Sequence, residues 1–273
     1  MAAVPRPRHF YTEPDRLDVG EVRVAYRRKG EGEPVLYLHC NGFTRMWLPF
    51  HDELAGSMDL IAPEHPGYGE TPMPDWLTGF DDLVLHYDEF LDRMGIDTVH
   101  VVGYSLGGWI GAELAAFYPR RLRSLTLICP AGLRVPGQPA PNLIAMTTEA
   151  VWETLFNDTR NAEGVMPDYE SVEEVVHLYG EATTFARLAW NPQYDLALER
   201  RLRRVECPAL VIGAEHDRVI PDAVADLYAE VLGARIERIE GTGHALAIEQ
   251  PEKAAALVAA HVAEAGAAAR ARS

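Results

Sequence analysis

Short runs of valine, isoleucine and leucine recur along this 273-residue chain, and the stretches between them gather apolar residues on one side of a helix. A strand that reads as a continuous apolar run is buried on both faces, and a parallel sheet between two helical layers is the arrangement that buries it. The expected fold class is therefore α/β, with a mostly parallel, doubly wound sheet. Strands are expected at Val22 to Arg27, Val35 to His39, Leu60 to Ala62, Val99 to Gly103, Ser124 to Cys129, Ala209 to Gly213 and Arg235 to Glu240. The stripe Leu83, Val84, Tyr87, Leu91 and Met94 predicts a helix from Phe80 that Gly95 ends. Leu106 to Phe117 reads as a helix stopped by Pro119. Pro221 to Leu232 and Pro251 to Val262 each open on the proline that a helix N-terminus tolerates. The alanine- and arginine-rich stretch after Glu264 is expected to fray.

Between about Arg134 and Leu198 the alternation stops. Helical spacing at Leu143 to Phe156 and Ser171 to Leu188, behind Pro136, Gly137, Pro139 and Pro141, predicts an inserted helical cap over residues 134–197, with the core divided into 1–133 and 198–273.

Composition removes several function classes. A hydrophobic share of 48% suits a sizeable buried core, and a formal net charge of −16 repels phosphate backbones and anionic lipid, so neither nucleic acid nor membrane is an expected partner. Cys40, Cys129 and Cys207 lie in or beside strand-like runs and are expected as buried thiols rather than a disulfide framework. Met1 to Pro14 lacks the apolar segment of a secretory signal, and no run approaches transmembrane length, which together predict a cytoplasmic protein.

The chemistry starts at Gly103-Tyr104-Ser105-Leu106-Gly107-Gly108, directly behind an apolar strand. The two outer glycines of Gly-x-Ser-x-Gly let strand and helix approach across a sharp turn, which lifts the serine hydroxyl above the sheet edge. A serine hydroxyl is a weak nucleophile near neutral pH and needs a base, itself fixed by a third group. Asp217 follows the strand Ala209 to Gly213, and His244 lies on the glycine-rich loop Glu240-Gly241-Thr242-Gly243-His244. Parallel strands share one carboxyl edge, where these three residues can converge. Glu215 and Asp222 are alternative acids, and His216 is expected to point elsewhere. Adjacent residues in Glu215-His216-Asp217 face opposite ways and no His-Glu-x-x-His or Cys-x-x-Cys pair accompanies them, so no metal is expected. Phosphate-cradling glycine loops are missing as well, so no cofactor is expected.

The order Ser, Asp, His, together with Leu38-His39-Cys40-Asn41-Gly42-Phe43 and Pro66-Gly67-Tyr68-Gly69, resembles the α/β-hydrolase superfamily over nearly the whole chain apart from the cap. The resemblance implies that Ser105 is the nucleophile, His244 the base and Asp217 the orienting acid. It further implies that the backbone N–H groups of Leu106 and Asn41 receive an oxyanion and that His39 shapes their loop. Cys40 stands where the family commonly has glycine, and Glu64 near where an aspartate is usual. A serine at the elbow sets the chain apart from epoxide hydrolases and haloalkane dehalogenases, which use aspartate there. The implied activity is hydrolysis of a small carboxylic ester or related acyl compound, with a small-molecule acyl substrate as partner. Hydrolysis of a carbon–carbon bond in a vinylogous diketone, or ligand binding without turnover on the same fold, remain the other readings. Trp109, Trp152, Phe156, Phe185 and Trp190 are candidates to line the pocket, and Arg187 or Asn191 to hold a substrate carboxylate.

Overall fold

The computed structural model describes residues 10–189 and 192–270. Among them, one sheet is built from β1 (Asp15–Val19), β2 (Val22–Lys29), β3 (Pro34–Leu38), β4 (Asp59–Pro63), β5 (Val99–Tyr104), β6 (Leu122–Ile128), β7 (Ala209–Ala214) and β8 (Arg235–Ile239). The lateral order is β1-β2-β4-β3-β5-β6-β7-β8. β2 pairs antiparallel with both β1 and β4, and every other neighbouring pair is parallel.

Strand periodicity sends alternate residues to opposite faces. Leu36, Leu38, Val99, Val101, Leu125, Leu127 and Val211 enter one apolar layer. Val35, Tyr37, Val102, Tyr104, Ile128, Leu210 and Ile212 enter the other. The helices are α1 (Pro49–Ala55), α2 (Phe80–Arg93), α3 (Leu106–Phe117), α4 (Thr148–Leu155), α5 (Val172–Ala189), α6 (Leu198–Leu202), α7 (Asp222–Leu232), α8 (Leu246–Glu249) and α9 (Pro251–Arg270). The first layer is covered by α2, α3 and α7 through Leu83, Tyr87, Ile110 and Tyr228. The second is covered by α1, α8 and α9 through Phe50, Leu54, Leu246 and Val258. The expected α/β fold with helices on both faces is therefore the one observed.

The differences have local causes. β1 carries charge at three of its five positions and owes its place to pairing with β2, so it leaves no apolar run to read. The expected helix Leu143 to Phe156 divides into a 3-10 turn, Leu143–Ala145, and α4, because Thr147 caps α4 by accepting from the Ala150 amide at 3.3 Å. Pro221 flanks α7 rather than opening it. α9 does not fray after Glu264 but continues to Arg270: Ala265 is buried and alanine is the best helix former. Cys40 and Cys129 are buried as expected, but Cys207 is only half-buried, and all three thiols are free. Among the described residues no helix is long and apolar enough to cross a membrane.

Candidate active site

Ser105 joins β5 to α3 in a backbone conformation, φ 53° and ψ −109°, that side-chain-bearing residues rarely adopt. The turn is held from both sides. Ser105 N–H donates to Ile128 O at 2.8 Å, and Ser105 O accepts from the Trp109 and Ala131 amides, both at 3.1 Å. Glycine is required on either flank: a Cβ on Gly103 would stand 2.3 Å from Gly107 O, and one on Gly107 would run into the Leu38 and His39 carbonyls.

The loops after β7 and β8 bring Asp217 and His244 to this turn. His244 Nε2 lies 3.0 Å from Ser105 Oγ, and His244 Nδ1 lies 2.9 Å from Asp217 Oδ2. Oδ1 of Asp217 accepts from the Val219 and Ile220 amides, each at 2.8 Å. Burial works to raise the Asp217 pKa, but His244 and the two amides outweigh it and hold the carboxyl below its ordinary value. The competing groups go elsewhere. Glu215 accepts from the Gly241 amide, Asp222 faces Arg238, and His216 is exposed beside Glu215. Leu106 is the first residue of α3 and Asn41 follows β3; both line the cavity at Ser105.

That cavity is small, about 60 Å³. Cys40 contributes to its wall, and burial pushes the thiol up to about 12, so it is neutral. Cys129, Asp217 and His244 place donor atoms within 4.8 Å of one another. Asp217 and His244 already hold each other, and burial pushes the Cys129 thiol well above its ordinary value, so this set does not suit a cation. Trp109 and Phe185 line the cavity as expected, whereas Trp152 lines an adjoining space and Phe156 is sealed in a core cluster with Leu48. Trp190 and Asn191 lie outside the described residues. Arg187 turns away and donates to Asp75 O at 3.3 Å.

Several positioning contacts had no sequence signal. The Tyr104 hydroxyl donates to His244 O. Glu249 accepts from the Gly243 amide at 2.6 Å and the Asp158 amide at 2.9 Å, and Arg218 donates to Glu153 O and Phe156 O. Glu64, the residue departing from aspartate, forms a buried pair with Arg27 at 2.7 Å. The Pro66 to Gly69 loop is explained by crowding. A Cβ on Gly67 would meet Thr184 of α5 at 2.7 Å, and one on Gly69 would meet Glu64 at 2.2 Å.

Comparison with known proteins agrees with this fold. The model of the alpha/beta hydrolase family matches residues 35–257. The chain is 29% identical over 260 residues to the dihydrolipoyllysine-residue acetyltransferase component of the acetoin cleaving system of Cupriavidus necator, covering 90% of this chain and 68% of that one. It is 25% identical over 270 residues to a monoacylglycerol lipase of Xenopus laevis, covering 88% and 79%. In fold it is similar to the meta-cleavage product hydrolase of Pseudomonas fluorescens, with a TM-score of 0.78, 21% identity and coverage of 93% and 98%. With the family model running from β3 into α9, the chain belongs to the alpha/beta hydrolase family.

Proposed function

We propose that this chain is a serine hydrolase that cleaves a small carboxylic ester or related acyl compound through an acyl-enzyme. The observation that carries the reading is the line Ser105 Oγ, His244 Nε2, His244 Nδ1, Asp217 Oδ2, with spacings of 3.0 and 2.9 Å at a strained turn. His244 takes the Ser105 proton as Oγ attacks the carbonyl carbon, and Asp217 holds the imidazole in the required tautomer. The Leu106 and Asn41 amides receive the oxyanion, each worth about 3 to 4 kcal/mol in comparable sites. His244 then gives the proton to the departing alkoxide as the carbon–oxygen bond breaks, and water, activated by the same ring, releases the acid.

The segment 134–197 acts as the cap between the two parts of the core, 1–133 and 198–273. Leu143, Leu155, Phe185 and Ala189, which line the Ser105 cavity, support this role. Free thiols at Cys40, Cys129 and Cys207 support a reducing, cytoplasmic setting. Hydrolysis of a carbon–carbon bond in a vinylogous diketone is the second reading, and Asn41 in the wall of the Ser105 cavity is the residue that supports it.

The test is a burst titration with a short-chain p-nitrophenyl ester. A burst near one equivalent per chain that Ser105→Ala abolishes is the expected result. Saturable ligand binding with no serine-dependent turnover would overturn the reading in favour of a binding protein.

A further inference from the structure

At about 60 Å³, the cavity around Ser105 holds little more than a reacting group, so the rest of a substrate must extend into an adjoining space. One such space, about 380 Å³, shares Asn41, Phe43 and Leu155 with it and lies between the loop after β3 and helices α4 and α5. Its walls are mostly apolar and aromatic. Trp152 Nε1 donates to the Tyr169 hydroxyl at 3.0 Å within that wall.

Into this apolar space α5 brings Glu181, whose side chain is 6% exposed. Its two oxygens are treated unequally. Oε1 receives the Thr44 hydroxyl, the Gly69 amide at 2.9 Å and His177 Nε2 at 3.0 Å. Every hydrogen bond to the carboxylate found among the described residues goes to Oε1, which leaves Oε2 without one on a side chain that lines the cavity. Burial works to raise the Glu181 pKa, but His177, Thr44 and Gly69 outweigh it and keep the carboxyl below its ordinary value, and so ionised near neutral pH. Of the other charged groups on these walls, Glu174 accepts the Asp168 amide at 2.8 Å, and Arg45 is buried. An ionised oxygen left facing an apolar cavity is costly unless a donor meets it there.

We infer that this compartment binds the far end of the substrate, and that this end is an apolar chain carrying a hydrogen-bond donor, a hydroxyl or an ammonium, held by Glu181 Oε2. The assignment rests on the serine hydrolase reading and adds its specificity. A hydrogen bond to a buried charged acceptor corresponds to a preference of roughly tenfold to a hundredfold in kcat/KM over the same chain ending in methyl.

The experiment compares matched esters on the wild-type enzyme by proton release. Ethyl 6-hydroxyhexanoate and ethyl 6-aminohexanoate are set against ethyl heptanoate, and 4-hydroxybutyl hexanoate against pentyl hexanoate, so that the donor sits on the acyl or the alcohol side. A preference for hydroxyl or for ammonium in either series supports the assignment and names the donor and its side. Glu181→Gln should bring that preference to about unity or reverse it, because the glutamine oxygen takes the Thr44 and Gly69 donors and turns its NH₂ to the cavity. Absence of any donor preference in wild type overturns the inference, whether or not the variant folds, and so does a preference that Glu181→Gln leaves intact. Turnover that persists in Ser105→Ala would instead remove the serine reading, which keeps the two failures distinct.

Discussion

Gly107 is packed so closely on the Leu38 carbonyl that a Cβ added to the glycine would stand 2.0 Å from the oxygen. Neither side of that contact can retreat, since both are main chain. Gly107→Ala is therefore expected to destabilise the fold by about 1 to 3 kcal/mol or more. Leu38 runs straight into the His39 to Asn41 loop, so ester turnover should fall further than the loss of folded protein explains. Urea unfolding and turnover measured on the folded fraction separate the two effects.

Asp217→Asn should lower kcat by roughly three to four orders of magnitude with little change in KM, because the amide no longer selects the tautomer that aims a bare Nε2 at Ser105. The same residue predicts a stability signature. Its folded pKa lies below the unfolded value, so its contribution is fully present above about pH 4 and is lost as pH falls through the folded value. The stability gap between wild type and Asp217→Asn should thus shrink on acidification below about pH 4, read from urea midpoints.

His39 and His65 stack with ring centroids 3.7 Å apart in the interior, and His51 is also buried. Burial lowers His39 to about 4 and His51 to about 3, and holds His65 well below its ordinary value. Each is neutral in the fold but takes up a proton near pH 6.5 when unfolded. Stability from these groups is therefore complete above about pH 6.5 and drains away as pH falls toward 4, by up to about 1.4 kcal/mol per pH unit for each group. Denaturant midpoints between pH 7 and 4.5 should decline steeply, and a His51→Asn variant should show a shallower slope.

Arg27 and Glu64 form an ion pair with side chains only 5% and 3% exposed. Glu64→Ala leaves the guanidinium buried without its counter-charge and should cost about 3 to 5 kcal/mol. Double replacement of Arg27 and Glu64 by apolar residues should recover much of that loss, which a thermal or urea series on all three variants would show.

What the sequence disclosed follows from how local each cause is. At Gly103 the need for glycine is set by Gly107, four residues away, whereas at Gly107 it is set by Leu38 and His39 at the end of a neighbouring strand and is readable only through the Gly-x-Ser-x-Gly pattern. β7 and β8 fall at the expected Ala209 to Gly213 and Arg235 to Glu240, so the positions of Asp217 and His244 follow from topology. Glu181 was not legible. On the sequence it is one polar residue on an amphipathic helix, and its meaning arises only when α5 docks on the glycine loop at Gly67 and Gly69. α1 and α6, at 7 and 5 residues, are too short for a helical period to declare itself. Tyr104 and Glu249 escaped for a different reason: both act by hydrogen-bonding main chain, Tyr104 at a residue 140 positions away, which spacing cannot encode.

The loop that carries His244 is riveted to one end of the segment above it. Ala245 N–H donates to Leu155 O at 2.8 Å, Asn157 reaches Gly241 O at 3.0 Å, Arg218 ties the Asp217 loop to Glu153 and Phe156, and Glu249 clasps both Gly243 and Asp158. Gly243 has no side chain because that contact leaves no room for one, a Cβ there meeting Asn157 N at 2.6 Å. The segment is therefore tied down unevenly. Lifting the C-terminal end of α4 would pull the loops of His244 and Asp217 away from Ser105, whereas no hydrogen bond among the described residues ties residues 136–146 to those two loops. If Ser105, His244 and Asp217 work together as proposed, any opening that keeps them aligned has to leave Leu155 to Asp158 in place.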